Sequence, residues 1–338
     1  MRDPPPSTRL TLLSLSAMNT PIAQSTHHIL MVRPSTFRKN EETAGNNHYQ
    51  KDAEVEDVLE AALQEFDTLV ARLMDHGVNV IVVEAAHDED TPDALFPNNW
   101  VSFHADGRVG LYPMFAPNRR LERREDILQD LEHGHGFELK EIADFTEFEA
   151  HDAFLEGTGS MVLNRPKKKA YAAKSVRTDR EAFIAWCETM DMEGILFEAM
   201  QTVGDQRMPI YHTNVMMAIG THWAAVCLDA VDHPEERELL AQSLQEDGLH
   251  IVPLTEDQIN QFAGNMLEVA TPEGDPLIVM SSRAHNALTE DQRTTLETFG
   301  TLVHSDLHHI ETCGGGSARC MMAEVHLPNS PTPISQDA

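Results

Sequence analysis

Residues 266–307, MLEVATPEGDPLIVMSSRAHNALTEDQRTTLETFGTLVHSDL, carry the pattern on which the fold turns. Two apolar runs flank a Thr-Pro-Glu-Gly-Asp-Pro turn in "MLEVATPEGDPLIVMSS", which predicts a β-hairpin. "LTEDQRTTLETFG" then reads as a helix with a glycine stop, and "TLVHSDL" as a further strand. The same order of hairpin, helix and strand recurs upstream. It is found in "VMMAIGTHWAAVCLDAV", "HPEERELLAQSLQEDG" and "HIVPLT", and in "SMVLNRPKKKAYAAKS", "TDREAFIAWCETMD" with Thr178 as the expected cap, and "EGILFEAM". Before these come "WVSFHADGRVGLYPM", "RLERREDILQDLEHG" and "FELKEIADF". Nearest the start, the strand "HHILMVRPS" is followed by a Gly/Asn-rich loop, "ETAGNNHYQ", an amphipathic helix over 52–76 stopped by Gly77, and the strand "VNVIVVEA".

Five units at roughly 50–70 residues each predict a cyclic array with its helices outside, a five-bladed α/β-propeller. An open doubly wound sheet is the alternative, but such sheets join parallel strands through helices and leave little place for hairpins. The expected boundaries are a disordered leader over 1–25, one catalytic domain over 26–328 and a disordered tail over 329–338. The leader holds one short apolar run after "DPPP", too short for a membrane span.

The 338 residues are 41% hydrophobic, enough for a core, and 25 Lys and Arg against 55 Asp and Glu give a formal charge of -30. That balance argues against nucleic acid or an anionic membrane as a partner. Cys187, Cys227, Cys313 and Cys320 are too few and scattered to staple a secreted fold, so a cytoplasmic protein is expected.

The chemistry concentrates in "ETCGGGSARCM", residues 311–321. No GxGxxG follows a strand and no GxxxxGK[ST] is present, which excludes the common phosphate cradles. The paired Cys or His spacing of a zinc site is missing as well, so no metal is expected. What remains is a nucleophilic thiol, to which a glycine run gives close backbone approach. The residues alone leave Cys313 and Cys320 both open, and a free cysteine in "RCMMAEVHL" also fits a core strand.

"CGGGSARCMM" resembles the C-terminal active-site segment of the guanidino-group modifying enzymes, the pentein superfamily of arginine deiminases, dimethylarginine hydrolases, succinylarginine dihydrolases and amidinotransferases. The resemblance implies that Cys320 is the nucleophile and leaves Cys313 without a role. It matches His212, in "IYHTNVMMAIG", to the superfamily's histidine at the start of a strand, and Glu156, in "FLEGTGSMV", to its acidic residue. It covers nearly the whole ordered chain, and its fold is a five-unit propeller. "PDALFPNNW", "YPMFAPNRRLERR" and "AAKSVRTDREA" resemble the substrate loop and two arginine segments, which implies that Arg119 or Arg120, with Arg177, clamps an α-carboxylate. With "MVRPSTFRKNEETAGNNHYQ", the chain most resembles the citrulline-utilisation hydrolase branch.

Two departures bear on the substrate. Where deiminases and dimethylarginine hydrolases have F-x-x-D, this chain has "FPNN" and Asn99; where deiminases and amidinotransferases have H-x-D, it has "HTN" and Asn214. An amide has donors and an acceptor but no charge, so it suits a neutral ureido group better than a guanidinium. In the alternative, Asp93 or Glu156 itself supplies the charge and arginine still binds. "EGTGS" also departs from E-G-G-D, with Ser160 beyond the place of the missing aspartate. The expected reaction is hydrolysis of citrulline to ornithine, carbon dioxide and ammonia by Cys320, with His212 as acid and base and Glu156 as its orienter, and with no metal or organic cofactor. Arginine or modified-arginine deimination, amidino transfer and a silent binding propeller are the alternatives. The expected partner is a small amino-acid substrate, and the superfamily suggests a homodimer.

Overall fold

The computed structural model describes residues 22–53 and 55–329. Its strands form five three-stranded sheets and one separate hairpin. Four sheets repeat one plan: an antiparallel pair, then a helix, then a strand parallel to the second of the pair. Val101–Phe103, Arg108–Leu111 and Glu141–Asp144 follow it across the helix Glu125–His133. Met161–Asn164, Lys169–Ala173 and Glu193–Phe197 follow it across Arg180–Met190. Met217–Ile219, Trp223–Val226 and His250–Pro253 follow it across Pro234–Glu246, and Leu267–Ala270, Pro276–Ser281 and Thr301–Ser305 across Glu290–Glu297. The fifth sheet joins the chain's two ends. His28–Arg33 runs parallel to Asn79–Glu84 and antiparallel to Ala323–Glu324.

The long helix spans Val58–Asp75, beginning later than the expected 52 because the Asp57 carboxylate accepts from Glu60 N at 3.0 Å and caps it there. It buries Ala62, Phe66, Leu69 and Leu73, spaced at three and four, against the first and last sheets. Thr178, the expected cap of the third helix, is not the cap. Thr178 and Ser175 close a tight turn through their backbones, and Asp179 takes Glu181 N at 2.7 Å and Ala182 N at 3.1 Å. The residues read as one helix over 120–134 divide into a 3-10 turn, Pro117–Glu122, and the helix from Glu125. The hairpin Met200–Val203 with Gln206–Pro209 stands outside the five units and has no counterpart among the sequence expectations.

Gln24, expected in the leader, is buried, and its amide donates to Leu163 O and Ile219 O at 2.9 and 3.1 Å. Residues 1–21 of the expected leader and 330–338 of the expected tail lie outside the described residues. Among the described residues no helix is long and apolar enough to cross a membrane.

Candidate active site

Residues from six stretches meet around one narrow cavity, lined by Cys320, His212, Asn99, Asp93, Arg119 and Arg177 among others. Cys320 sits on the 3-10 turn Ala318–Met321, at the end of the glycine run, and is 3% exposed. The run itself begins as a π-turn, Ile310–Gly314, ended by Gly315 at φ +66°. A Cβ there would lie 2.5 Å from Asn47 Nδ2, so the close approach of the Asn47 loop requires glycine.

His212 is an extended residue preceding the turn Thr213–Val215, five residues before the strand Met217–Ile219 and not at its start as the motif implied. It is buried, and its Nε2 lies 2.7 Å from Glu156 Oε2. Burial pushes His212 down to about 4, with Arg177 and Arg119 adding to the effect and the Glu156 hydrogen bond opposing it. Burial disfavours the charged form of Glu156, but Arg177, the His212 hydrogen bond and Arg119 outweigh it and hold the carboxyl well below its usual range. At neutral pH the pair is therefore a carboxylate and a neutral imidazole. A carboxylate only accepts, so Nε2 carries the imidazole proton and Nδ1 is left as the basic nitrogen.

Glu156 is held from several sides. Its Oε1 accepts from Phe115 N at 3.0 Å, and its own N donates to Ser160 Oγ at 2.9 Å. Ser160 Oγ in turn donates to Arg177 O at 2.7 Å, so the serine of "EGTGS" fastens the turn that carries the acid.

The substrate-binding candidates divide. Arg177 lies over the Tyr211 ring at 4.9 Å, donates through Nε to Asn46 Oδ1 at 2.8 Å and reaches Glu156 Oε2 at 3.5 Å. Arg119 is buried and grips Glu122 with two bonds of 2.9 Å, while its third arm donates to Asn99 Oδ1 at 2.7 Å. Arg120 is not brought to the cavity. It is partly exposed and turns to Met114 O and Glu149. Asp93 is buried. Its Oδ2 accepts from Asn40 Nδ2 at 2.8 Å, but its Oδ1 has no partner. Asn214 faces the sulfur at 3.6 Å, with its amide also donating to Thr158 O at 3.2 Å.

Several residues of the site carried no sequence signal of their own. The loop around "ETAGNNHYQ" roofs the cavity. Asn47 donates to Gly315 O at 3.3 Å, Gln50 to Gly314 O at 2.9 Å, and Tyr211 Oη to Gly315 O at 2.7 Å. Asn265 donates to Cys320 Sγ at 3.2 Å. Lone amides have no periodicity, and only the composition of the loop hinted at them.

Glu311, at the head of the glycine run, is buried, with Oε2 making no hydrogen bond but lying 3.8 Å from Arg283 Nη1, and Oε1 accepting from Ser317 Oγ at 2.6 Å. Burial pushes it up to about 7, against the opposing hydrogen bonds from Ser281 and Ser317 and the Arg283 charge. A carboxyl raised in the folded state binds more protons folded than unfolded, so its contribution to stability falls as pH rises between the ordinary value and about 7. Glu311→Gln mimics the protonated form. By urea unfolding it is expected to match the wild type near pH 4.5 and to exceed it by about 3 kcal/mol at pH 8. An equal difference at both pH values would show that Glu311 is not the group responsible.

No individually curated protein matches the sequence. Among solved structures the chain is similar to ArgZ, an arginine dihydrolase from the ornithine-ammonia cycle in cyanobacteria, at 18% identity and TM-score 0.65, covering 90% of this chain and 41% of that one. It thus spans well under half of ArgZ. The N-terminal domain of ArgZ alone, a Cys-to-Ser mutant bound to substrate, aligns over 88% of this chain and 97% of that domain, at 17% identity and TM-score 0.64. A dimethylarginine dimethylaminohydrolase in adduct with S-methyl-L-thiocitrulline aligns at 15% identity and TM-score 0.61, over 88% of this chain and 98% of that one. At such identities the likeness shows a shared mixed α/β fold. The family model for "N,N dimethylarginine dimethylhydrolase, eukaryotic" matches residues 33–327, and the chain belongs to that family of arginine-related guanidino hydrolases.

Proposed function

We propose that the chain is a thiol hydrolase of citrulline, forming ornithine, carbon dioxide and ammonia. The observation that carries this is the orientation of Asn99. Arg119 donates to its Oδ1 at 2.7 Å, so the carbonyl end is taken and the Nδ2 end, which donates to Asn98 Oδ1 at 3.1 Å, has one N–H to spare beside the cavity. A spare donor suits the oxygen of a ureido group, whereas a guanidinium offers only donors. The unpartnered Oδ1 of Asp93 suits the α-ammonium of an amino acid, and Arg177 its carboxylate.

In the reaction, the Cys320 thiol gives its proton to His212 Nδ1 and the sulfur attacks the ureido carbon. The imidazolium, paired with Glu156, passes that proton to the departing nitrogen as the carbon–nitrogen bond breaks, leaving a thiocarbamate on sulfur. His212 then takes a proton from water, the hydroxyl adds to the carbon, and the carbon–sulfur bond breaks. The carbamate released divides into amine and carbon dioxide.

The same proposal takes the five sheets as blades of one closed propeller domain over 26–328. It is supported by the contacts of Ala323–Glu324 with Val101–Phe103, of Met161–Asn164 with Met217–Ile219, and of Met217–Ile219 with Leu267–Ala270. It includes a cytoplasmic homodimer, on the ground of the superfamily resemblance and the scattered free cysteines. Arginine or methylated arginine as substrate is the second reading, favoured by the family match.

An assay of released ammonia and methylamines separates the two, using citrulline, arginine, methylated arginine and succinylarginine, with Cys320→Ser as control. Citrulline is expected to lead, and Asn99→Asp to move preference toward the cationic substrates by at least tenfold, because a buried carboxylate pairs with a guanidinium. Turnover of arginine with none of citrulline would refute the proposal. So would an active Cys320→Ser.

A further inference from the structure

The turn that carries Cys320 is braced by a side chain from a different sheet. Asn265 lies just before the strand Leu267–Ala270 and is 1% exposed. Its Oδ1 accepts from Arg319 N at 3.1 Å, the peptide next to the cysteine. Its Nδ2 donates both to Asn214 O at 3.1 Å and to Cys320 Sγ at 3.2 Å. The backbone leading to it is unusual, since Phe262 is held at φ +62° and accepts from Asn265 N at 2.8 Å. Left-handed backbone at a bulky residue persists where the surroundings demand it.

The orientation of this amide is settled twice over. The Arg319 N–H can only be met by the oxygen, and the Asn214 carbonyl only by the nitrogen, so a flipped amide would leave two buried backbone groups opposed to like partners. The sulfur therefore lies nearer to the N–H end, at 3.2 Å, than to Oδ1, at 3.7 Å. Asn214 is fixed in the same sense by the Thr158 carbonyl, which turns its Nδ2 toward the sulfur as well. An N–H donor gains most when its acceptor is charged, and the charged sulfur is the reactive species.

We propose that Asn265 is a positioning residue for the nucleophile, holding the Cys320 turn through Arg319 N and presenting a fixed N–H donor to the sulfur when it is a thiolate. This role rests on Cys320 being the nucleophile. It differs from that of Asn99, since Asn265 addresses the attacking atom and does not select the substrate.

The test compares Asn265→Ala and Asn265→Asp with the wild type in two measurements. The first is the rate of carbamidomethylation of Cys320 by iodoacetamide at neutral pH, mapped by peptide mass to separate it from the other three cysteines. The second is kcat and KM on whichever substrate the panel identifies. Alanine is expected to slow alkylation about tenfold and kcat 10- to 100-fold, with KM within about twofold. Aspartate keeps the volume and the bond to Arg319 N but aims an acceptor or a negative charge at the sulfur, so it is expected to be slower than alanine in both. A merely structural role ranks them the other way, with aspartate above alanine, and that order overturns the proposal. Wild-type alkylation in either variant also overturns it. Alkylation needs no turnover, so it judges Asn265 independently of the function proposed above, which fails separately if Cys320→Ser remains active.

Discussion

Glu156→Gln is expected to lower kcat by roughly 10⁴-fold, the scale on which an orienting acid turned into an amide disables its histidine. Phe115 N–H already requires an acceptor from this side chain, and it would claim the glutamine oxygen. The glutamine NH2 would then face His212 Nε2 at the 2.7 Å now bridged by the imidazole proton. Two donors cannot meet there, so the ring proton moves to Nδ1 and the basic nitrogen is lost. The same change removes the one carboxylate within 4 Å of Arg177 among the described residues, at a cost of about 3 kcal/mol in urea unfolding. Steady-state kinetics together with nitrogen-15 spectra of the imidazole check both halves. An unchanged tautomer with full turnover would remove Glu156 from the mechanism.

Gly159→Ala tests the cavity wall. A Cβ on this residue would stand 2.4 Å from Asn99 Nδ2 and 2.8 Å from His212 Nδ1, closer than such contacts allow. Neither neighbour yields easily, since Asn99 is held by Arg119 and His212 by Glu156. The added methyl presses on His212 Nδ1 and Asn99 Nδ2 at once. A misplacement of about 1 Å at reacting groups costs on the order of 100-fold in rate, and kcat/KM is expected to fall at least that far. A variant that melts normally but keeps full activity would mean that His212 and Asn99 do not act together.

The repeated order of hairpin, helix and strand was readable because each sheet alternates or runs apolar as it must against its helix, as in Leu267–Ala270 and Pro276–Ser281. The hairpin Met200–Pro209 escaped because its sequence is mostly polar and exposed, without an apolar face to betray a strand. In the site, Cys320, His212 and Glu156 were legible through motif order, and the structure brings His212 and Cys320 to one cavity with Glu156 behind the imidazole. The doublet Arg119–Arg120 was not separable. On a 3-10 turn successive side chains point about 120° apart, so one arginine turns into the cavity while its neighbour turns out. Asn265 was invisible because its role depends on a peptide N–H 54 residues away.

The pairing of Ile29 with Glu324 bears on when the cavity forms during synthesis. Cys320 lies three residues before the short strand Ala323–Glu324, which completes the sheet begun by His28–Arg33. A chain still emerging from the ribosome can fold its middle units from neighbouring residues, but this closure waits for the last segment and spans almost the whole sequence. Until then His28–Arg33 keeps an open edge, and Cys320 has no fixed place. Assembly of the cavity around Cys320 is therefore a late event in folding, and a chain stalled short of residue 323 lacks the strand pairing that anchors the segment carrying that side chain.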